Sequence, residues 1–232
     1  MKRPRALLLT HGEHSRSAIS GCDLLCDLLT HEAGLDVNSS ADYSELTPER
    51  LSTYELIVNY SGYRADVEPS EFQLRDLIEA VKAGTPYVAL HCAALMFTNQ
   101  LYYRRALGRS DPEASAEDFL DRLRLSELDG TSLIATDPIA RHRIRIVDRD
   151  HPITRDVPDF DITDQLYELR GDLSRMNILA ESAGHAVLHT NTWQRGKVHY
   201  NGLGHDKQAI GDANFQRLVV QAVHWALAPD QS

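Results

Sequence analysis

An α/β fold, a three-layer α/β/α sandwich on a mainly parallel sheet, is what this sequence predicts, on three observations. Short continuous apolar runs recur along the chain, helical periodicities fall between them, and no repeat, low-complexity tract or linker breaks the alternation. A strand buried on both faces reads as an unbroken apolar run, whereas a connecting helix shows one apolar stripe. The 232 residues suit one large domain, 1–232, whose core needs neither metal nor disulfide merely to form.

Ala6 to Thr10 is the first such run. Ser17 to Thr30 comes next, with Ala18, Cys22, Leu25, Cys26 and Leu29 at helical spacing, and Gly34 stops it. Leu35 to Ser39 and Tyr54 to Tyr60 read as the second and third strands. Leu74, Leu77, Ile78 and Val81 then recur at i, i+3, i+4 and i+7, which predicts a helix ending at Gly84. Pro86 to Leu90 is the fourth strand. Segment 101–130 carries both charge signs around Leu120, Leu123 and Leu128, and reads as a helical excursion from the sheet. Arg141 to Val147 alternates Arg and Ile, the mark of a strand with one wet face. Asn177 to Glu181, Ala186 to Thr190 and Gly196 to Tyr200 are further short strands, the last after an Arg195-Gly196 turn. Asp212 caps a closing helix whose Phe215, Leu218, Val219, Ala222, Val223 and Ala226 form one stripe, and Pro229 ends it.

Composition narrows the partners. Asp and Glu number 34 against 24 Lys and Arg, a formal charge of -10 with no dense basic stripe, which argues against nucleic acid. The three cysteines, Cys22, Cys26 and Cys92, are too few and too irregular for a disulfide or zinc-ribbon framework. The apolar run after Met1-Lys2-Arg3-Pro4-Arg5 is too short for a signal peptide, and no stretch is long enough to span a bilayer. The expectation is a cytoplasmic protein without membrane partners.

Parallel sheets bind ligands outside the carboxyl ends of their strands, so the residues just past each strand are the ones to inspect. His11 and His14 come after the first strand, His91 after the fourth, and His205 after the segment Tyr200-Asn201-Gly202-Leu203-Gly204. Imidazole suits both proton transfer near neutral pH and binding of a divalent metal such as zinc. His14, His91 and His205 are therefore the candidate metal ligands, with Glu13 or Asp206 as a carboxylate. Gly204 lets the backbone approach a ligand closely. His31, His142, His185, His189 and His224 fit no such pattern. His91-Cys92-Ala93-Ala94 leaves a strand for a helix, the setting of a nucleophile elbow, and either His91 or Cys92 could occupy it. A buried, inert Cys92 is the alternative. The late His205-Asp206-Lys207 lacks the second carboxylate of a glutamine amidotransferase.

These residues resemble a known family. Val88-Ala89-Leu90-His91, Tyr103 to Gly108, His151-Pro152-Ile153-Thr154 with Pro158-Asp159-Phe160, Asp164-Gln165-Leu166-Tyr167, and Thr192 to Val198 with Gly202 to Asp206 are similar to segments of the trehalose-utilisation (ThuA-like) family. Gln165 stands where that family usually has Glu. The resemblance implies a flavodoxin-like, class I glutamine amidotransferase-like fold without the standard triad, and a place in trehalose or related disaccharide use. It carries His14, His91, Tyr167 and His205 over as site residues. The expected function is carbohydrate utilisation on a small-molecule sugar. His91, His205 and Tyr167 would be catalytic, and His14, Tyr60, Asp164, Gln165, Gly204 and Asp206 would bind substrate. The alternatives are a hydrolase or amidase acting through Cys92 and a non-catalytic ligand-binding module, with a homo-oligomer open in each case.

Overall fold

The computed structural model describes residues 2–10, 21–61, 69–91, 93, 131–136, 138–171 and 176–229. The predicted excursion at 101–130 lies outside them. Strands β1 (Arg5–Leu9), β2 (Asp36–Ser40), β3 (Leu56–Asn59) and β4 (Tyr87–Leu90) alternate with helices. These are α1 (Cys22–Asp27), running into a π-helical turn (Leu28–Glu32), α2 (Pro48–Leu51) and α3 (Glu71–Lys82). Strands then succeed one another: β5 (Thr131–Thr136), β6 (Ala140–Ile146), β7 (Phe160–Asp164), β8 (Tyr167–Gly171), β9 (Asn177–Ser182), β10 (His185–Trp193) and β11 (Gly196–Asn201). Two helices, α4 (Lys207–Ile210) and α5 (Ala213–Leu227), close the described chain. Among the described residues no helix is long and apolar enough to cross a membrane.

Local chemistry explains the boundaries. Ser70 accepts from the Gln73 N–H while the Gln73 side chain accepts from the Ser70 N–H, a capping box that starts α3. Asp212 accepts from the Asn214 and Phe215 N–H groups and starts α5. Strand β1 is buried from Ala6 to Leu9, so its side chains must be apolar on both faces.

Nine strands form one sheet in the order β2-β1-β3-β4-β11-β10-β9-β6-β7, and β5 pairs with β8 apart from it. The expectation of a mainly parallel sheet is corrected here. The run from β2 to β11 is parallel, but every pairing from β11 to β7 is antiparallel. The reason is connection length. Parallel neighbours need a crossover of a dozen or more residues, whereas two residues, Ala183-Gly184, join β9 to β10. Both have positive φ, 50° and 87°, the conformation of a tight hairpin turn.

Two cores lie on either side of the sheet. One packs Leu8, Val58, Val88 and Leu90 against α1, α4 and α5, with the closing helix contributing Phe215, Leu218, Val219, Ala222 and Val223. The other packs Leu7, Leu9, Ile57 and Tyr87 against α2 and α3. The first core continues under the antiparallel strands through Ile144, Ile146, Phe160, Ile162 and Leu188. Traced through the pairings from β11, strands β9 and β7 run in the direction of β4. The carboxyl ends of β1, β3, β4, β11 and β7 therefore share one edge, and that is where the site forms.

Candidate functional site

Strand ends supply the parts. His91 comes directly after β4 and has φ of 40°, in the left-handed region that is uncommon for any residue but glycine. Positive φ puts backbone strain at His91, one of the two positions, with Cys92, expected at the strand-to-helix turn. Cys92 itself lies outside the described residues, as does His14. His91 is 2% exposed. Its ring stacks on Tyr167, with centroids 4.4 Å apart and planes at 25°. The Tyr200 hydroxyl donates to its carbonyl oxygen at 3.3 Å.

Both ring nitrogens of His91 are engaged. Nδ1 lies 3.0 Å from the Gly202 carbonyl oxygen and Nε2 lies 3.2 Å from Nδ1 of His205. A carbonyl only accepts, so Nδ1 of His91 bears a proton. In the neutral ring Nε2 is then an acceptor, and Nδ1 of His205 donates to it. With both rings neutral the chain has one polarity: Gly202 carbonyl, His91, His205. Among the described residues nothing then bonds Nε2 of His205, whose ring is only half buried.

The loop that carries His205 is held at each of its residues. The Asn201 side-chain oxygen accepts from the Leu203 N–H at 3.0 Å. The Tyr60 hydroxyl, at the end of β3, donates to the Gly204 carbonyl at 2.8 Å. Asp164, the last residue of β7, accepts from the N–H groups of Gly204 at 2.8 Å, His205 at 3.0 Å and Gln165 at 2.8 Å. Gly204 has φ of 107°, and a Cβ there would lie 2.9 Å from the Phe215 ring, so a side chain is excluded twice over. Asp164 is 1% exposed, and burial pushes its carboxyl up from the ordinary value. Its three N–H donors and the His205 ring oppose that rise.

The sequence from residue 5 to residue 226 matches the ThuA family, described as trehalose utilisation. This chain belongs to that family. Solved ThuA-like structures are similar over almost their whole length. One from Parabacteroides merdae is 17% identical, with a TM-score of 0.73 over 97% of this chain and 90% of that one. A cytoplasmic protein from Salmonella typhimurium is 15% identical, with a TM-score of 0.66 over 96% and 99% of the two chains. A protein from Thermoplasma acidophilum, described as a component of GMP synthase, is 10% identical, with a TM-score of 0.59 over 97% and 94%. At these identities the likeness is one of fold, and it agrees with the expected glutamine amidotransferase-like architecture. No curated protein sequence matches this one.

In this ThuA-family chain His91, Tyr167 and His205 come together as a contacting group. Tyr60 and Asp164 reach the same loop, but their polar atoms are spent on the main chain around His205. Asp206 accepts from the Gln208 and Ala209 N–H groups and caps α4. Gln165 is half buried beside Asp164. Two contributors were not singled out from the sequence: the Gly202 carbonyl that orients His91, and the Asn201 side chain that shapes the turn. The Gly202-Leu203-Gly204-His205 run was the available signal, since two glycines beside a histidine mark a backbone that contacts something closely. Among the described residues no group of three or more His, Cys, Asp and Glu side chains converges as a metal site requires.

Proposed function

We propose that this protein is an acid–base enzyme of carbohydrate utilisation, acting on a hydroxyl-rich small molecule of the disaccharide or keto-sugar class. The supporting observation is the directed chain from the Gly202 carbonyl through His91 to His205. Its outer nitrogen, Nε2 of His205, takes a proton from a substrate hydroxyl or from a carbon beside a keto group. The imidazolium so formed still donates through Nδ1 to His91, and the buried Asp164 carboxylate opposes its positive charge. His91 thus does for His205 what a carboxylate does for the histidine of a hydrolase triad: it fixes the tautomer and shares the charge. The family's description, trehalose utilisation, supports the substrate class.

The test is binding and turnover with a panel of disaccharides and their keto forms, then the same measurements on His205→Ala. A positioned acid or base contributes about 10²–10⁴-fold, so turnover should fall by that factor while the fold persists. Full activity in the variant would remove His205 from the chemistry. Loss of activity on alkylation of Cys92, with His205→Ala unaffected, would move the reaction to the thiol. A second reading has one observation in its favour. Two imidazole nitrogens bound to one tetrahedral zinc lie about 3.3 Å apart, close to the 3.2 Å found here. Stoichiometric metal in purified protein, lost in His91→Ala, would establish it.

A further inference from the structure

We infer that Asp164 is a positioning residue for His205, acting through the backbone and not through the imidazole ring or the substrate. This rests on the acid–base reading above. A catalytic histidine in a triad is usually aimed by a carboxylate on its ring. Here the ring's partner is another histidine, so the aiming must come from elsewhere.

The geometry supplies it. Asp164 Oδ1 accepts from the His205 N–H and Oδ2 from the Gly204 N–H, so one carboxylate grips two consecutive peptide groups. Oδ1 also accepts from the Gln165 N–H, which ties the carboxylate to its own main chain. An ionised carboxylate is acceptor-only, and each of these neighbours is a donor, so the ionised form matches all three. Burying a charge is costly unless hydrogen bonds compensate it, and these three N–H groups supply that compensation. Asn201, Val187 and Tyr60 hold the loop at Leu203, Gly202 and the Gly204 carbonyl, but among the described residues only Asp164 holds the Gly204 and His205 N–H groups, at the glycine whose φ is 107°. Tyr60 and Asp164 hold one and the same planar Gly204–His205 peptide, through its carbonyl and its N–H. Asp164 alone also holds the preceding peptide through the Gly204 N–H, so it fixes the turn at Gly204 that places His205 and allows its 3.2 Å approach to His91.

Asn is the informative replacement. It has one acceptor oxygen where three N–H groups converge, and its amide must face at least one of them donor to donor. The experiment is ¹⁵N NMR of the imidazole and amide groups in the full chain, wild type and Asp164→Asn. In the wild type the neutral rings of His91 and His205 should both carry their proton on Nδ1. In Asp164→Asn the Gly204 and His205 amide protons should move upfield, and His205 should lose its single tautomer while His91 keeps its bond to Gly202. With a substrate in hand, kcat should drop about 100-fold with KM nearly unchanged, the scale of an ångström of misplacement. Movement of the amides with the His205 tautomer intact would overturn the inference, because a merely structural Asp164 predicts that result. Should Asp164→Asn fail to fold, Asp164→Ser removes the charge with less crowding and takes its place in the same comparison. Absence of the paired Nδ1 protons in the wild type would instead count against the acid–base reading itself.

Discussion

The two halves of the nine-stranded sheet obey different rules. In the parallel half consecutive residues of one strand are both core: Leu7 faces α3 and its neighbours, Leu8 faces α5, and neither is exposed at all. At the far end of the antiparallel half, in β6 and β7, only alternate residues are core. Ile144 and Ile146 lie inside, while Arg141, Arg143 and Arg145 point out among Asp161 and Glu181. The difference comes from connections: helices return over the parallel strands and cover both faces, whereas hairpins bring no cover with them. The candidate site falls on the seam, because β11 pairs in parallel with β4 and antiparallel with β10. The seam lets a loop after β11 meet the end of β4 on one side and the end of β7 on the other.

The largest effects should come from breaking the two-sided burial of β1. Leu7→Ala and Leu8→Ala should each lower unfolding free energy by about 2–5 kcal/mol in denaturant titration, with unchanged cooperativity. Adjacent residues with equal cost would be the signature of a doubly covered strand. A small effect at either position would mean that one face of β1 is looser than its burial suggests.

A mid-sized effect probes the seam. His199 on β11 is fully buried, and its Nδ1 lies 3.0 Å from the His189 carbonyl across the antiparallel join. Burial depresses its pKa from 6.5 to about 3. The folded protein therefore holds His199 neutral, and above about pH 6.5 it contributes no pH dependence because both states are neutral. As pH falls below 6.5 the unfolded chain takes up a proton that the folded one refuses, and stability drops by about 1.4 kcal/mol per pH unit until about pH 3. His151, also lowered by burial, adds in the same direction over a shorter interval. Asp42, Asp148 and Asp159 have values lowered from 3.8, so their losses set in near pH 3.8 and fall mostly below about pH 4, while Asp164, raised by burial, acts in the opposite sense. Unfolding free energies measured between about pH 7 and pH 4 should show the slope in wild type and most of it gone in His199→Leu. An unchanged slope would assign the acid sensitivity to other groups.

How far the sequence revealed these features differs between the halves for a physical reason. Leu7 to Leu9, Ile57-Val58 and Val88 to Leu90 announce themselves because double burial leaves no room for polar residues. The Arg–Ile alternation of β6 also predicts its wet face, whereas the expectation of a mainly parallel sheet fails in the second half. The short spacing of the last three strands carries the antiparallel signal, since two residues cannot hold a crossover helix. Strands β5, β7 and β8 have no counterpart among the expected strands; for β7 the reason is that Phe160-Asp161-Ile162-Thr163-Asp164 is short and half polar, and its role depends on β6 beside it. At the site, His91 and His205 were legible as histidines after strands. That Asp164 and Tyr60 would serve the backbone was not, because the polar groups of a loop become visible only once the loop has a path.

The smallest expected effect is the sharpest test of the contrast. Arg143 is 61% exposed and lies 3.4 Å from Asp161, which Arg141 also approaches, at 3.1 Å. Removing Arg143 leaves Asp161 with its other partner, and exposed ion pairs contribute about 0–1 kcal/mol at best. Arg143→Ala should therefore change stability by less than about 0.5 kcal/mol, while Ile144→Ala, one residue along, should lose about 2–5 kcal/mol. The ratio within that pair, set beside the near equality expected for Leu7 and Leu8, measures how one-sided β6 is beside the doubly covered β1. Comparable losses at Arg143 and Ile144 would mean that the outer face of β6 is itself a packed surface in the intact protein, and the two halves would then differ in topology alone.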